Sequence, residues 1–492
     1  MRVLLVSGVI GQLLRLFSVA FIAPIVLALW DREFGHAGYF AIGMVTTLVA
    51  GLLLGATYQR VALLRRSEAL GVVAGTWLVV GHFAATPYLF FGLSPVDAVF
   101  ESISGFTTTG ATILREISVE RYGRAFFLWR AITQWFGGLG VIALFVLILP
   151  RLGIAGRQLF FAEASDAASE PISPQVRQTA RRLWILYSVL TVLLALALVA
   201  CGLTPYDAIV HAFSTLAAGG FSPHSESFGG YNNPTAEWIV TVFMLLAGTS
   251  FTLQWKGFTG RPGAFFRDGE FVFYFGAMLL ATLALAFVVA GGMPTEETLR
   301  QGAFQAASLI SSTGFASVDY NLWSDEAKAV LVAVMLVGGC AGSAAGGAKV
   351  IRLILVLKFL WSEITQVLHP RAVLPIRYGR RIIPPEILRT VFTLWVFYLT
   401  GYLIVGLLLV LLGADYITGF SASLACLGNI GPGFAQVGPM AHYADLPALS
   451  KWILTLAMWV GRLEIVAVLA LLHPHVWKNL QVKRTESKLR YA

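Results

Sequence analysis

The sequence predicts an all-α membrane protein in which an N-terminal hairpin precedes four parallel M-P-M (span, loop, span) repeats in a pseudo-fourfold arrangement around a central pore. Three observations predict it. The chain of 492 residues is 57% hydrophobic and 12% charged, with a mean hydropathy of +0.76, whereas soluble domains carry roughly 25% charged residues. A short, mostly apolar segment ending in a glycine turn recurs four times between long hydrophobic runs. Basic residues gather on alternate loops.

Runs 3–30 and 37–58 flank the short turn DREFGH and form the hairpin, domain 1–58. Its first run is longer than a cleavable signal core and is expected to stay as a helix. Repeat 1 (59–150) takes spans 69–91 and 123–149; repeat 2 (151–257) takes 183–202 and 236–255. Repeat 3 (258–370) takes 271–292 and 327–361, and repeat 4 (371–492) takes 387–412 and 449–472. Recurrence of one supersecondary unit is the mark of internal duplication. Two spans per unit keep all four facing the same way, so the repeat is parallel and not inverted.

The segment LSPVDAVFESISGFTTTGAT ends in Gly110, and LTPYDAIVHAFSTLAAGGFS repeats its plan, with Pro205 and Asp207 standing as far before Gly220 as Pro95 and Asp97 stand before Gly110. SSTGFAS carries Gly314 and GNIGPGF carries Gly431. Such segments are too short for a bilayer, which needs about 20 apolar residues, so each enters and returns. Non-helical backbone at that depth must be buried in protein or line a water-filled cavity. Four turns meeting at one axis offer carbonyl oxygens in place of a cation's hydration shell, and glycine permits the φ > 0 conformations that aim successive carbonyls the same way. The candidate ion-binding groups are the carbonyls around Thr108, Thr109, Gly110, Gly219, Gly220, Thr313, Gly314, Ile430 and Gly431. Asp97 and Asp207 are expected to cap the short helices.

Span 327–361 is interrupted by VGGCAGSAAGGAKVIR. Gly338, Gly339, Gly342, Gly346 and Gly347 should break a helix, since each costs about 1 kcal/mol against Ala. With Lys349 at its end this stretch reads as a flexible intramembrane gate; the alternative is a close helix contact through small residues. In span 449–472, Arg462 and Glu464 lie on different helix faces. Arg462 is either an electrostatic barrier near the conduction path or half of a structural ion pair.

Arg60, Arg65 and Arg66 form one basic loop; Arg151, Arg157, Arg177, Arg181 and Arg182 the next; Lys256, Arg261 and Arg267 a third; Arg371, Arg377, Arg380, Arg381 and Arg389 a fourth. Lys478, Lys483, Arg484, Lys488 and Arg490 form a basic tail. The positive-inside rule assigns these to the cytoplasm, and both termini are expected there. Arg115, Arg121 and Arg124 are exceptions on the opposite side. The charge forms no continuous stripe, which sets nucleic acid aside. Cys201, Cys340 and Cys426 stand isolated in apolar runs and offer neither a disulfide framework nor a metal spacing.

With its four loops, the GGCAGSAAGGAKV break and the GRLEI run, the chain resembles the Trk/Ktr/HKT superfamily of potassium transporters, most specifically the TrkH/TrkG type of bacterial membrane subunit. That resemblance covers nearly the whole sequence. It implies potassium uptake across the bacterial inner membrane, a homodimer, and gating by a cytosolic TrkA-like subunit of RCK fold that binds nucleotide. Gly110, Gly220, Gly314 and Gly431 match the family's filter glycines and imply K⁺ sites there, also at Thr109. Gly110 favours K⁺, because sodium-conducting relatives carry Ser at that place. Residues 337–349 match the family's gating loop, and Arg462 its pore arginine. The second loop departs from the pattern, with Ala217-Ala218-Gly219 where a hydroxyl residue is usual.

The alternative within transporters is a Na⁺- or proton-coupled cation symporter, which would want inverted repeats and carboxylates in the path. An enzyme would want a metal spacing or nucleophile elbow around Glu101, His211 or His442, and none joins them. GGCAG and AAGGAK lack the strand and helix context of a phosphate loop, so nucleotide control is expected from another chain. The basic loops suit either that partner or anionic membrane lipids.

Overall fold

The computed structural model describes residues 2–58, 66–143, 174–379, 381–463, 465–472 and 474. Arg60, Arg65, the end of span 123–149, Arg151, Arg157, Arg380, Glu464 and the basic residues of the tail lie outside them. Among the described residues six helices are long and apolar enough to cross a membrane: Val3–Trp30, Phe34–Gly55, Ser67–Phe90, Gln178–Ala200, Gly269–Ala290 and Pro385–Leu411. The described strands are a single antiparallel pair, Arg377–Tyr378 with Arg381–Ile382. The chain is thus an all-α, multi-pass membrane protein.

The hairpin's first run proceeds as Val3–Phe17, a 3-10 turn Ser18–Phe21, and Ile22–Trp30. Pro24 supplies no N–H to the preceding turn, and the helix tightens there. Gly8 and Gly11 let this helix lie on the backbone of its neighbour: a Cβ at Gly11 would collide with Gly55, and one at Gly8 would stand 2.7 Å from Tyr58. The hairpin's inner face reaches the rest of the chain through aromatic rings, Phe17 at 5.1 Å from Phe106 and Phe21 at 4.1 Å from Trp129.

Four short helices follow, Pro95–Phe106, Pro205–Leu216, Glu296–Ile310 and Tyr416–Leu427. The caps of the first two are Ser94 and Thr204, whose hydroxyls accept from the N–H groups of Asp97 and Asp207. The aspartates sit three residues inside and accept those hydroxyls' protons, at 2.8 and 2.6 Å, the side-chain half of a capping arrangement. Each short helix also packs against the helix that follows the preceding one: Arg124–Ala143 on the second, Pro234–Ala247 on the third, Asp325–Val337 on the fourth, and Ala448–Arg462 back on the first. Ion pairs pin two of these seams, Arg300 to Glu237 at 2.6 Å and Lys451 to Asp97 at 2.5 Å. The four units therefore close into a ring in chain order.

Two helices depart from a straight span. Residues 236–255, expected as one helix, form Pro234–Ala247 and Phe251–Phe258, bent by 110°. The carbonyls released at the bend are taken up by Gln254, whose amide donates to Leu246 and Thr249 at 2.7 and 2.9 Å. In the third unit the helix Asp325–Val337 ends, and Val350–Leu368 resumes only after residues 338–349. Arg115, Arg121 and Arg124 each meet a carboxylate: Asp445 at 2.6 Å, Glu116 at 3.0 Å, and Asp31.

Leucine at Gly11 drives a side chain into the Gly55 backbone, and overpacking of that kind typically costs about 1–3 kcal/mol. Gly11→Leu should lower the thermal midpoint of the detergent-solubilised chain, read by size-exclusion chromatography after heating. Gly38→Leu, where a Cβ meets nothing within 4 Å, should leave the midpoint unchanged.

Candidate functional site: a ring of four glycine turns

Each short helix ends in the same backbone conformation. Thr108, Ala218, Ser312 and Asn429 have φ of 50, 55, 53 and 52°, and two residues later Gly110, Gly220, Gly314 and Gly431 have φ of 83, 75, 81 and 101°. The residue between them, Thr109, Gly219, Thr313 or Ile430, donates its N–H back into the helix, to Ser104, Ser214, Ser308 or Ala425 at 2.8 to 2.9 Å. An alternation of positive and ordinary φ turns successive carbonyls toward one side. The helix end supplies the hydrogen bond that fixes it.

The turns meet edge to edge. A Cβ at Gly110 would collide with the Gly219 carbonyl oxygen, one at Gly220 with that of Thr313, one at Gly314 with that of Ile430, and one at Gly431 with that of Thr109. That sequence returns to its start, so the nine residues singled out above form one ring, buried or nearly so. All four glycines line a single cavity, together with Arg130, His224, His442 and Tyr443.

The supports behind the ring differ from turn to turn. Thr107 and Thr109 share a hydroxyl bond at 2.7 Å, and Ser311 and Thr313 do the same at 2.7 Å. The second turn, without hydroxyls, is held by Gln134, which donates to the Gly219 carbonyl at 2.6 Å and accepts from Phe221 N–H at 3.2 Å. Asn429 reaches from the fourth turn to the Thr109 hydroxyl at 3.0 Å, and Tyr443 donates to the Gly431 carbonyl at 2.7 Å. Glu101, fully buried, pairs with Arg130 at 2.7 Å and accepts from Ile113 N–H, while Arg130 also donates to the Ser222 carbonyl at 3.1 Å. This pair braces the first turn against the second. Gln134 and Arg130 were missed in the sequence; two polar residues one helical turn apart inside span 123–149 were the available signal.

His211 stands where Glu101 does in its own helix, bonded to the Asp207 carbonyl at 2.8 Å and facing the Ser222 hydroxyl at 3.3 Å. The Ser222 hydroxyl is itself within 3.4 Å of the Ser227 carbonyl and accepts from His224 N–H, so this histidine is part of the bonding of the loop behind the second turn.

On the other face of the ring lies the glycine-rich stretch. Gly338, Gly342, Gly347 and Lys349 all have positive φ. Gly346 donates to the Ser312 hydroxyl of the third turn, and a Cβ there would strike the Gly428 carbonyl of the fourth. Arg462, buried, donates to the Ala344 carbonyl at 2.9 Å. Among the described residues no carboxylate pairs with it, and Lys349 bonds to the Ala345 carbonyl. The stretch, Arg462, Asn429 and Tyr398 line a second cavity. Residues far apart in the chain, the four turns, the break and Arg462, are thereby brought to one place.

The same arrangement of chain exists in solved relatives. Residues 36–267 and 271–477 match the family model TrkH, cation transport protein. The chain belongs to the TrkH family. It is 35% identical to the Trk system potassium uptake protein TrkH of Halomonas elongata over 97% of this chain and 100% of that one, and 34% identical to that of Escherichia coli over 96% and 99%. The crystal structure of the potassium transporter TrkH from Vibrio parahaemolyticus superposes with a TM-score of 0.88 at 33% identity, covering 97% of this chain and 100% of that one.

Removing Gln134 from this TrkH-family chain strands the Gly219 carbonyl and the Phe221 N–H, and each buried group left unpaired costs about 1–3 kcal/mol. Gln134→Leu, similar in size, should lower the midpoint of thermal unfolding measured by tryptophan fluorescence by several degrees. Gln134→Glu, which keeps the acceptor for Phe221 but sets a second oxygen against the Gly219 carbonyl in a buried site, should lower it at least as much.

Proposed function

We propose that this chain takes up potassium across a bacterial inner membrane, with both termini in the cytoplasm, and that the ring of glycine turns is its selectivity filter. The observation that carries the reading is the cyclic seating of each glycine against the next turn's carbonyl. The carbonyls of four turns then surround one axis, and backbone carbonyls held at fixed spacing replace the hydration of a bare monovalent cation. Relatives of this length and similarity bear the name potassium uptake protein, which agrees with a K⁺ ligand set at Thr109, Gly110, Gly220, Gly314 and Gly431. The polypeptide divides in this reading into the hairpin 1–58 and repeats 59–150, 151–257, 258–370 and 371–492. It conducts and performs no catalysis.

Flow past the filter is limited by residues 338–349 and Arg462. The stretch lies directly against the third and fourth turns, and a guanidinium beside a cation path raises the electrostatic barrier to entry. Control comes from a cytosolic nucleotide-binding subunit of RCK fold acting on a homodimer of this chain, with the basic cytoplasmic loops as its docking face or as contacts for anionic lipids.

Rubidium flux into vesicles holding the purified chain, with Na⁺ as competitor, tests the proposal; flux without preference over Na⁺ would overturn it. Gly110→Ser places a Cβ on the Gly219 carbonyl at a φ of 83°, and it should reduce the preference for Rb⁺ over Na⁺ by roughly tenfold, equivalent to about 1.4 kcal/mol. Arg462→Glu should change the flux at unchanged expression; an effect of Arg462→Ala on expression alone would assign that residue a structural role.

A further inference from the structure

Glu270 is a carboxylate at the start of the membrane helix Gly269–Ala290, 6% exposed. One of its oxygens accepts from Ala341 N–H at 2.7 Å and from Ile351 N–H at 3.1 Å. Those two groups stand at opposite ends of the glycine-rich stretch, and both lost their helical acceptors when the helix broke. An acceptor shared by two buried amides leaves both unpaired when it is removed. The same stretch is docked on the bend of the second unit: Cys340 N–H donates to the Gly248 carbonyl at 2.8 Å, Ala344 N–H to Ala247 at 3.1 Å, and Phe251 N–H to Gly342 at 3.0 Å. The two broken helices thus interlock, with Glu270 at the seam.

The cytoplasmic side reaches the same residue. The strand pair Arg377–Tyr378 and Arg381–Ile382 lies in the basic connection between the third and fourth units. The Tyr378 hydroxyl accepts from Glu270 N–H at 3.0 Å, an amide it shares with Asp268. Lys358, on the helix leaving the break, donates to the Arg377 carbonyl at 2.8 Å. Ala341 of the stretch and Ile383 of the connection belong to one apolar cluster with Ile351, Leu355 and Ile387.

We infer that Glu270 is a latch that holds the glycine-rich stretch beneath the filter, and that the hairpin around Tyr378 is the handle through which a force at the cytoplasmic surface releases it. The inference rests on the reading of residues 338–349 as the barrier. Glu270 is a positioning residue, acting through the amides of Ala341 and Ile351.

The experiment is rubidium flux into vesicles of the full-length chain without any cytosolic partner. Glu270→Ala removes the shared acceptor and should raise this basal flux about tenfold, the effect of leaving the Ala341 and Ile351 amides without it. Glu270→Gln keeps an acceptor oxygen and should return most of the way to the parent. Tyr378→Phe, which frees the Glu270 backbone and so loosens the placement of its carboxyl, should raise the flux by a smaller factor, and Glu270→Ala with Tyr378→Phe should exceed Glu270→Ala alone by little, because the hydroxyl acts on the stretch through that carboxyl. Preference for Rb⁺ over Na⁺ should stay at the parental value in every variant. Parental flux in Glu270→Ala and Tyr378→Phe, or a changed preference without a change in flux, overturns the latch. If Glu270→Ala yields no monodisperse protein, Tyr378→Phe decides, raised flux supporting the latch and parental flux overturning it. A chain lacking residues 342–347 separates the two ideas. Raised flux in that deletion beside parental flux in the latch variants leaves the barrier standing without the latch, and parental flux in the deletion removes both.

Discussion

Backbone that leaves a helix inside a membrane must find its hydrogen-bond partners within the protein, because lipid offers none and each orphaned group costs several kcal/mol. Among the described residues the chain leaves the helix at the four glycine turns, at residues 248–250 and at residues 338–349, and the same solution recurs. A polar side chain or a second interrupted helix stands where the regular partner is missing. Gln254 takes the carbonyls at the bend, Glu270 takes amides at both ends of the glycine-rich stretch, and Gln134 holds the second turn. These three long polar side chains thus stand beside irregular backbone, while hydroxyls such as Thr47, Thr191 and Thr282 bond carbonyls of their own helices.

The ring has a steric logic of its own. Each turn needs φ > 0 at two positions, one of them occupied by Thr, Ala, Ser or Asn at a cost that the helix-end hydrogen bond offsets. At the other position only glycine serves, since a Cβ would occupy the place of the next turn's carbonyl oxygen. The turns are consequently not independent. A displacement of one is passed to its neighbour by direct contact, and the ion pair from Lys451 to Asp97 closes the circuit between the fourth unit and the first.

Much of this was legible in the sequence: the spans, the hairpin, the four turns and the break at 338–349 follow from hydropathy, from the repeated Pro, Asp and Gly spacing, and from a run of glycines too dense for a helix. What was not legible depends on contacts distant in the chain. Gly248, Thr249 and Ser250 form too short an interruption to read as a break, and the 110° bend there exists because the glycine-rich stretch docks onto its carbonyls. Arg115 and Arg124 looked like exceptions to the charge rule because their partners, Asp445 and Asp31, are far off in sequence. The capping role went to Ser94 and Thr204 and not to Asp97 and Asp207, since the extended residue before the helix holds the cap and the aspartates lie already in its first turn.

A single chain can divide labour among its turns in a way that four identical subunits cannot. The backbone of the ring keeps fourfold regularity, while the side chains behind it do not. The first and second turns are braced together by Glu101 and Arg130, with Arg130 stacked 3.8 Å from the centre of the Phe221 ring. The third and fourth receive the glycine-rich stretch instead, through Ser312 and the Gly428 carbonyl. A buried, fully bonded ion pair is costly to rearrange, whereas a loop of small residues held by backbone hydrogen bonds has other low-energy conformations open to it. Stiffness thus resides on one half of the ring and adaptability on the other. Under the proposed function, passage is assigned to the glycine-rich stretch beneath the third and fourth turns and discrimination to the ring itself.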